Sequence, residues 1–573
     1  MRWKFLPGFS LVVLLGFALR AAAQSTPSLQ SPLPAGVPED VDPIAPPIPE
    51  PPLPLPVAPP EPLPEPSLET PATPPPTAVP AAPDIRFSVS QIEVLGSTVL
   101  QAQIAALVKP YENRDVAFDD LIELRSAITQ LYIEDGYITS GAFLPINQDL
   151  SDGVVQIQVV EGELEQISIT GLKRLRRGYV RNRLALATAP PLNQQDLEAT
   201  LQLLQLNPLI EQVNAELTTG RRPGSNILQV DLKESPAFHA NLEGDNYRSP
   251  SIGSEQFQVG LAHDNFFGFG DRLNAGYSTT DGLDSVDVAY AIPLNAREGT
   301  LRLRYNNNDS LIVEEDFEDL GIRSETETFS ISFRQPLTRT PSHELALGLG
   351  IDRRRSQTFI LDDDPFSFSV GPEDGESNIT VIRFFQDWVN RDARTVLAAR
   401  SQFSFGIDAF DATVNDSGTD GRFFTWLGQF QWVQQLPHRI LLLVRVDAQL
   451  TPDSLLPLEQ FSLGGVNTVR GYRQNQLVSD NGVLSSVELR IPLTANPQRF
   501  QLTPFVDVGY AWNNRTPGPT PNTIAGLGLG ARWQIAPTLA ARLDYGVPLV
   551  EIDGRGGSLQ GNGLYFSVRY QPF

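Results

Sequence analysis

"IAGLGLGARW", residues 524–533, alternates with a period of two. On an extended chain Ala525, Leu527, Leu529, Ala531 and Trp533 share one face, and Gly526, Gly528, Gly530 and Arg532 share the other. An apolar face against a small or polar one, sustained over about ten residues, is the pattern of a transmembrane β-strand. A strand of a water-soluble β-sandwich also alternates, so one stretch alone leaves both open.

The same texture recurs after Ser235, in "EQFQVGLAHD", "DSVDVAYAI", "ETFSISFRQ", "ELALGLGID", "TWLGQFQWV", "GVLSSVELRI" and "GLYFSVRYQPF". Roughly sixteen such segments fit between Ala237 and the C-terminus, an even number of the kind outer-membrane barrels use. Their connections discriminate. "NFFGFGD", "IPLNAREG", "QPLTRTPS", "VNRDAR", "LPH", "IPLTANPQ" and "IAPT" are short, whereas 308–323, 354–377, 406–422 and 451–481 are long. Short turns on one side and long loops on the other are expected of such a barrel, and a sandwich has no reason for them. The reading is a transmembrane β-barrel of sixteen antiparallel strands over 236–573, ending in the aromatic Phe573 as a barrel-assembly signal. The acidic runs "EEDFED" and "LDDDP" lie in the long loops, where solvation explains them; calcium binding is the alternative.

The chain has 573 residues, a formal net charge of −24 and no cysteine. Nucleic acid is therefore not an expected partner, because phosphates call for a basic footprint. Disulfides and thiol chemistry are excluded. Arg2, Lys4, the apolar run "LVVLLGFAL" and Ala21-Ala22-Ala23 read as a signal peptide over 1–23, cut after Ala23. The run is short for a membrane anchor, the competing reading. Residues 24–84 hold nearly half of the 49 prolines. Proline removes backbone donors and fixes an extended path, so this segment reads as a spacer rather than a recognition motif.

Between the spacer and the barrel, one order of elements occurs twice. Residues 85–163 give a strand near Phe87–Val94, a helix at Gln101–Val108, a helix carrying Leu121, Ile128 and Tyr132, then "TSGAFLPI" and "GVVQIQVVEG". Residues 164–235 give "LEQISIT", a basic helix from about Arg177, a helix over Asn193–Leu206, then "EQVNAEL" and "NILQVDLKE". Two β-α-α-β-β units are expected, against one α+β domain of double size.

Signs of catalysis are scarce. The four histidines, at 239, 263, 343 and 438, have no ligand spacing, and no phosphate loop or nucleophile elbow occurs. No catalytic residue, metal site or cofactor is expected.

"GGVNTVRGYRQN" (464–475) falls between the eleventh and twelfth strands, on the long-loop side. "FVDVG" follows at 505–509, with Phe505, Asp507 and Gly509 on one strand face. Asp507 is costly against lipid, so that face should line the lumen and offer a partner for a cation. From the residues alone two arrangements remain. Either Arg470 folds inward onto Asp507, or it stays solvated while Asp507 lines a wet pore.

Taken together, this order of segments resembles a two-partner-secretion transporter of the Omp85 superfamily, related to haemolysin-activator and filamentous-haemagglutinin transporters. "VRGY" (Val469, Arg470, Gly471, Tyr472) matches the family's loop motif, and Phe505, Asp507 and Gly509 its barrel-strand motif. "EDGYITSGAFLP" and "VQIQVVEGEL" resemble POTRA domains, and "NFFGFGDRL" the first periplasmic turn. The resemblance implies two POTRA domains in the periplasm and a lumenal Arg470–Asp507 ion pair. It also implies capture of an unfolded partner exoprotein and its passage through the barrel without nucleotide. Further expected partners are outer-membrane lipid and, during biogenesis, the barrel-assembly machinery; the protein is expected to work as a monomer in a Gram-negative outer membrane, and the proline-rich segment and acidic composition suit a cyanobacterial one. Alternatives are an assembly factor that inserts other barrels, which usually carries more POTRA repeats, and a passive porin, which needs none. One departure is that residues 25–84 are too proline-rich for the plug helix such transporters carry.

Overall fold

The computed structural model describes residues 68–69, 86–148, 150, 152–361, 363–552 and 557–572. The segment read as a signal peptide, most of the stretch read as a spacer, the region where a plug helix was weighed and Phe573 lie outside these residues.

The first α+β unit is built around helix α2 (Phe118–Glu134), whose Leu121, Leu124, Ile128 and Tyr132 recur at helical spacing and are buried. Asp120 begins the helix by accepting the Ala117 N–H at 3.0 Å. That face packs on Val155, Ile157 and Val159, which alternate along the strand Val154–Val160. Each such side chain taken fully from water contributes about 1.5–3 kcal/mol. In the sheet, Gln91–Leu95 runs parallel to Val154–Val160, and Gly141–Phe143 antiparallel to it. Helix α1 (Gln101–Val108) adds Ile104 and Val108 to the core. A strand absent from the sequence reading, Arg114–Ala117, pairs with Arg86–Val89.

The second unit repeats the plan. Glu163–Thr170 runs parallel to Ser225–Glu234, which pairs antiparallel with Ile210–Thr219. Helices α3 (Arg177–Leu184) and α4 (Gln194–Gln205) cover one face, α4 through Leu197, Leu201 and Leu204. Asn193 caps α4 by accepting the Gln195 N–H at 2.9 Å. Leu68–Glu69 adds a parallel partner to Ile210–Thr219, opposite Ala215 and Glu216.

Glu161 links loop and helix in the first unit. It accepts from the Tyr132 hydroxyl at 2.9 Å, the Thr98 N–H at 2.7 Å and the Thr98 hydroxyl at 2.5 Å. Burial alone would raise its pKa, but these donors, Thr98 foremost, hold the carboxyl below its usual value. Burial also pushes the Tyr132 phenol up to about 12. A depressed carboxyl pKa stabilises the fold above the unfolded value of 4.5 and loses that effect as pH falls through the folded value. Glu161→Gln is therefore expected to destabilise the unit by about 1 kcal/mol at neutral pH, because the site is half-exposed and partly screened. The difference from wild type should close as pH falls below 4.5 and through the folded value, read as amide exchange over residues 97–99.

The barrel begins at Phe238. Sixteen antiparallel strands follow in chain order, and the first, Phe238–Asp245, closes on the last, Leu564–Tyr570. That closing seam has four residue pairs, Leu242↔Tyr570 through Asp245↔Ser567, against eight between the first strand and the second, Gln256–Asp264. Leu527, Leu529 and Trp533 are exposed on the outer wall, whereas Gly526 and Gly530 are buried facing the lumen. Among the described residues no helix is long and apolar enough to cross a membrane.

Strand ends differ from the sequence reading. Arg323–Arg339 and His343–Ile360 run on as strands through much of "QPLTRTPS" and the start of 354–377. The strand ladder extends beyond the apolar band there, where polar side chains hide the alternation. On the long-loop side one connection is tight: residues 281 and 282 alone join Arg272–Thr280 to Leu283–Pro293.

Candidate functional site in the barrel lumen

The strands Leu441–Leu450 and Asn481–Pro492 are joined by a loop that folds into the barrel. It forms its own two-stranded piece, Phe461–Leu463 with Leu477–Ser479. Phe461, Leu463, Val469, Tyr472 and Leu477 pack on the wall residues Leu484, Ala511 and Ile524. Val469 is wholly buried in this cluster.

Arg470 is 3 % exposed and Asp507 not at all. Arg470 Nε lies 2.7 Å from Asp507 Oδ2 and Nη2 lies 3.0 Å from Oδ1, a bidentate fork. The Arg470 N–H also donates to Oδ2 at 3.1 Å, and Ser486 Oγ to Oδ1 at 2.6 Å. The remaining nitrogen, Nη1, donates to Glu488 Oε2 at 2.8 Å and lies 3.7 Å from Asp544. The guanidinium stacks 3.4 Å from the centre of the Phe505 ring. Three carboxylates and one ring thus surround one planar cation, an arrangement that desolvated charges require.

The neighbouring motif residues are equally fixed. Gly471 has φ +103°, a conformation that favours glycine, and its N–H donates to Tyr565 Oη at 2.9 Å. Tyr565 in turn donates to the Tyr472 carbonyl at 2.5 Å. The Tyr472 hydroxyl donates to the Ala525 carbonyl at 2.8 Å and accepts the Val550 N–H at 3.1 Å. A Cβ on Gly509 would stand 2.7 Å from the Leu463 side chain, so this glycine clears room for the loop.

Several residues of the site escaped the sequence reading. Glu488 and Ser486 sit in "SVELRI", Asp544 and Tyr565 on the last two strands, and only lumenal placement brings them to Arg470. An acid on the small-residue face of an alternating strand is the signal that could have found Glu488. A second attachment was also missed. Glu459 on the loop, 8 % exposed, meets Arg383 at 2.8 Å and Arg354 at 3.1 Å, and Arg383 also meets Asp352 at 2.5 Å. The loop is therefore tied to two sectors of the wall.

A closed sixteen-stranded barrel with an apolar outer wall, α+β units before it and an inward loop held by buried charge defines a class, the transmembrane β-barrels whose own loop occupies the lumen. Residues 224–533 match the family described as "Haemolysin secretion/activation protein ShlB/FhaC/HecB", and residues 87–162 match the ShlB-type POTRA domain. The chain belongs to this family, the two-partner-secretion transporters of the outer membrane. Among similar proteins, "Outer membrane transporter CdiB" of Dickeya dadantii is 25 % identical over 78 % of this chain and 81 % of its own length. "Heme/hemopexin transporter protein HuxB" of Haemophilus influenzae is 20 % identical over 74 % of this chain and 76 % of its own length. In fold, the solved structure of CdiB from Escherichia coli covers 87 % of this chain and 93 % of its own, at 24 % identity and a TM-score of 0.67.

Proposed function

We propose that this chain captures an extended partner exoprotein on the strand edges of its two α+β units and passes it through the barrel. The observation that carries the capture step is the strand Ile210–Thr219, whose free edge takes Leu68–Glu69 as a parallel neighbour. An edge that accepts one extended segment offers the same unpaired backbone groups to another. In this reading the units face the periplasm of a Gram-negative cell, and a cyanobacterial envelope is its finer form. The barrel-assembly machinery inserts the barrel, and a single chain does the work. No bond is made or broken in the cargo, and its folding outside supplies the drive.

The VRGY loop is the gate of this transporter. At rest Arg470 holds it on Asp507, and cargo passage requires the loop to shift, because the loop occupies the lumen. The capture reading is tested by deleting 86–234. Cargo binding in pull-down is expected to fall by about tenfold or more, since edge pairing is lost, while the barrel still migrates as a folded, heat-modifiable species. A deleted form that binds cargo normally would refute it.

A further inference from the structure

Between Lys173 and Arg183 the chain carries six cationic side chains and no acidic one, within a protein of net charge −24. Arg183 is buried beneath the Tyr179 ring and reaches Glu298 on a barrel turn at 3.4 Å. The other five, Lys173, Arg174, Arg176, Arg177 and Arg181, are exposed. The Glu234 carboxylate accepts the backbone N–H groups of Lys173, Arg174 and Leu175 at 2.7, 3.0 and 2.9 Å, so it is spent on the main chain while the five cationic side chains remain exposed. A patch of this kind attracts anions, and what matters is where it stands.

Its position is fixed by the barrel. The Arg176 N–H donates to the Gly268 carbonyl at 3.0 Å, and the Arg176 guanidinium lies 3.7 Å from the centre of the Phe269 ring. Arg174 Nη1 lies 3.4 Å from His263 Nε2. His263 follows Phe257, Val259 and Leu261 along one face of the second barrel strand. Phe257 and Leu261 are exposed, so this is the lipid-facing row, and Arg174 reaches the outside of the wall at its end. The adjoining turn exposes Phe266, Phe267 and Phe269 by 47, 59 and 42 %. Aromatic rings in a barrel turn mark the boundary between lipid and water. The basic segment therefore stands at the depth of the lipid phosphates.

We infer that Lys173–Arg181, together with the 265–271 turn, binds the headgroups of anionic phospholipids in the leaflet on the α+β side. An acidic stretch of cargo is the competing occupant. The geometry favours lipid because Arg174 and Arg176 are held against the outer wall rather than toward the lumen. The inference rests on the barrel spanning a membrane and not on the capture reading above.

The cysteine-free chain suits a single-label test. A Cβ on Gly178 would meet nothing within 4 Å, so Gly178→Cys accepts a fluorophore on α3. The labelled full chain is placed in nanodiscs of phosphatidylcholine carrying a headgroup-nitroxide quencher, with or without phosphatidylglycerol. Each basic residue near an anionic surface favours contact by about fivefold, so quenching should roughly double with phosphatidylglycerol present. High salt should reverse the increase. Arg177→Glu with Arg181→Glu should abolish it, and the paired glutamine changes should leave part of it. Quenching indifferent to phosphatidylglycerol, or unchanged by charge reversal, overturns the proposal. So does shielding of the label by purified exoprotein that the same reversals remove while the lipid response stays absent. Heat-modifiable migration of each variant reports that the barrel is intact.

Discussion

Arg470→Ala is expected to cut export of the partner exoprotein by about tenfold or more while the barrel still inserts and closes. Arg470 is the cation shared by Asp507 and Glu488, with Asp544 close by. Its removal strands the fully buried Asp507, since Glu488 keeps Arg490 and Asp544 keeps Arg542, and breaking a buried pair by deleting one partner costs about 3–5 kcal/mol. The loop can relieve that cost by leaving its seat, because no ladder joins its short strands to the wall ladder. The barrel has no such option, since its sixteen strands are held by their own backbone pairing. Secreted cargo in the medium and heat-modifiable migration separate the two effects; normal export would sink the assigned role. Arg470→Lys should recover little, because a point charge cannot fork onto Asp507, reach Glu488 and stack on Phe505 at once. Arg470→Ala with Asp507→Ala should recover part of the loop's anchoring, since one stranded carboxylate is removed with the cation.

Gly526→Val is expected to expel the loop by sterics alone. A Cβ at Gly526 would stand 2.0 Å from the Arg470 carbonyl oxygen, and one at Gly546 2.5 Å from the Gly471 nitrogen. Both obstacles are backbone, so a flexible side chain cannot yield in their place. The strand itself should form, because valine suits an extended chain. A single cysteine at Thr468, a buried loop position in a chain with no cysteine of its own, should then react with an impermeant thiol reagent about tenfold faster than in the native background, as a protected segment opens. Leu529→Val, on the lipid-facing side of the same strand, is the control and should leave the rate unchanged. Equal reactivity in the Gly526→Val protein would show that the loop does not rest on this surface.

Much of this architecture was legible from local pattern. Helix α2 announced itself by Leu121, Ile128 and Tyr132 at helical spacing, and the duplicated units by the repetition of element order. The strand Arg114–Ala117 gave no such signal: only four residues long, it is held by pairing with Arg86–Val89. Ladder extensions such as Arg353–Arg355 were invisible for a related reason, since strand there is dictated by neighbours and not by amphipathic alternation. At the site, Arg470 and Asp507 were readable because each is anomalous where it stands, a cation among glycines and an acid on a barrel strand. Glu459 and Arg383 are ordinary in their own segments, and nothing in either pointed to the other.

"IAGLGLGARW" marks the division. Its alternation is a relation between adjacent residues, so the sequence by itself determined that Leu527 and Leu529 share a face and that this face suits lipid. The purpose of the opposite face depended on closure of the barrel, which brings Arg470 and Gly471 across Gly526 and Gly546. Contacts between residues far apart in the chain exist only once every strand has found its partner. A glycine that reads as a small residue in sequence is thus, in the folded barrel, the space in which the loop lies.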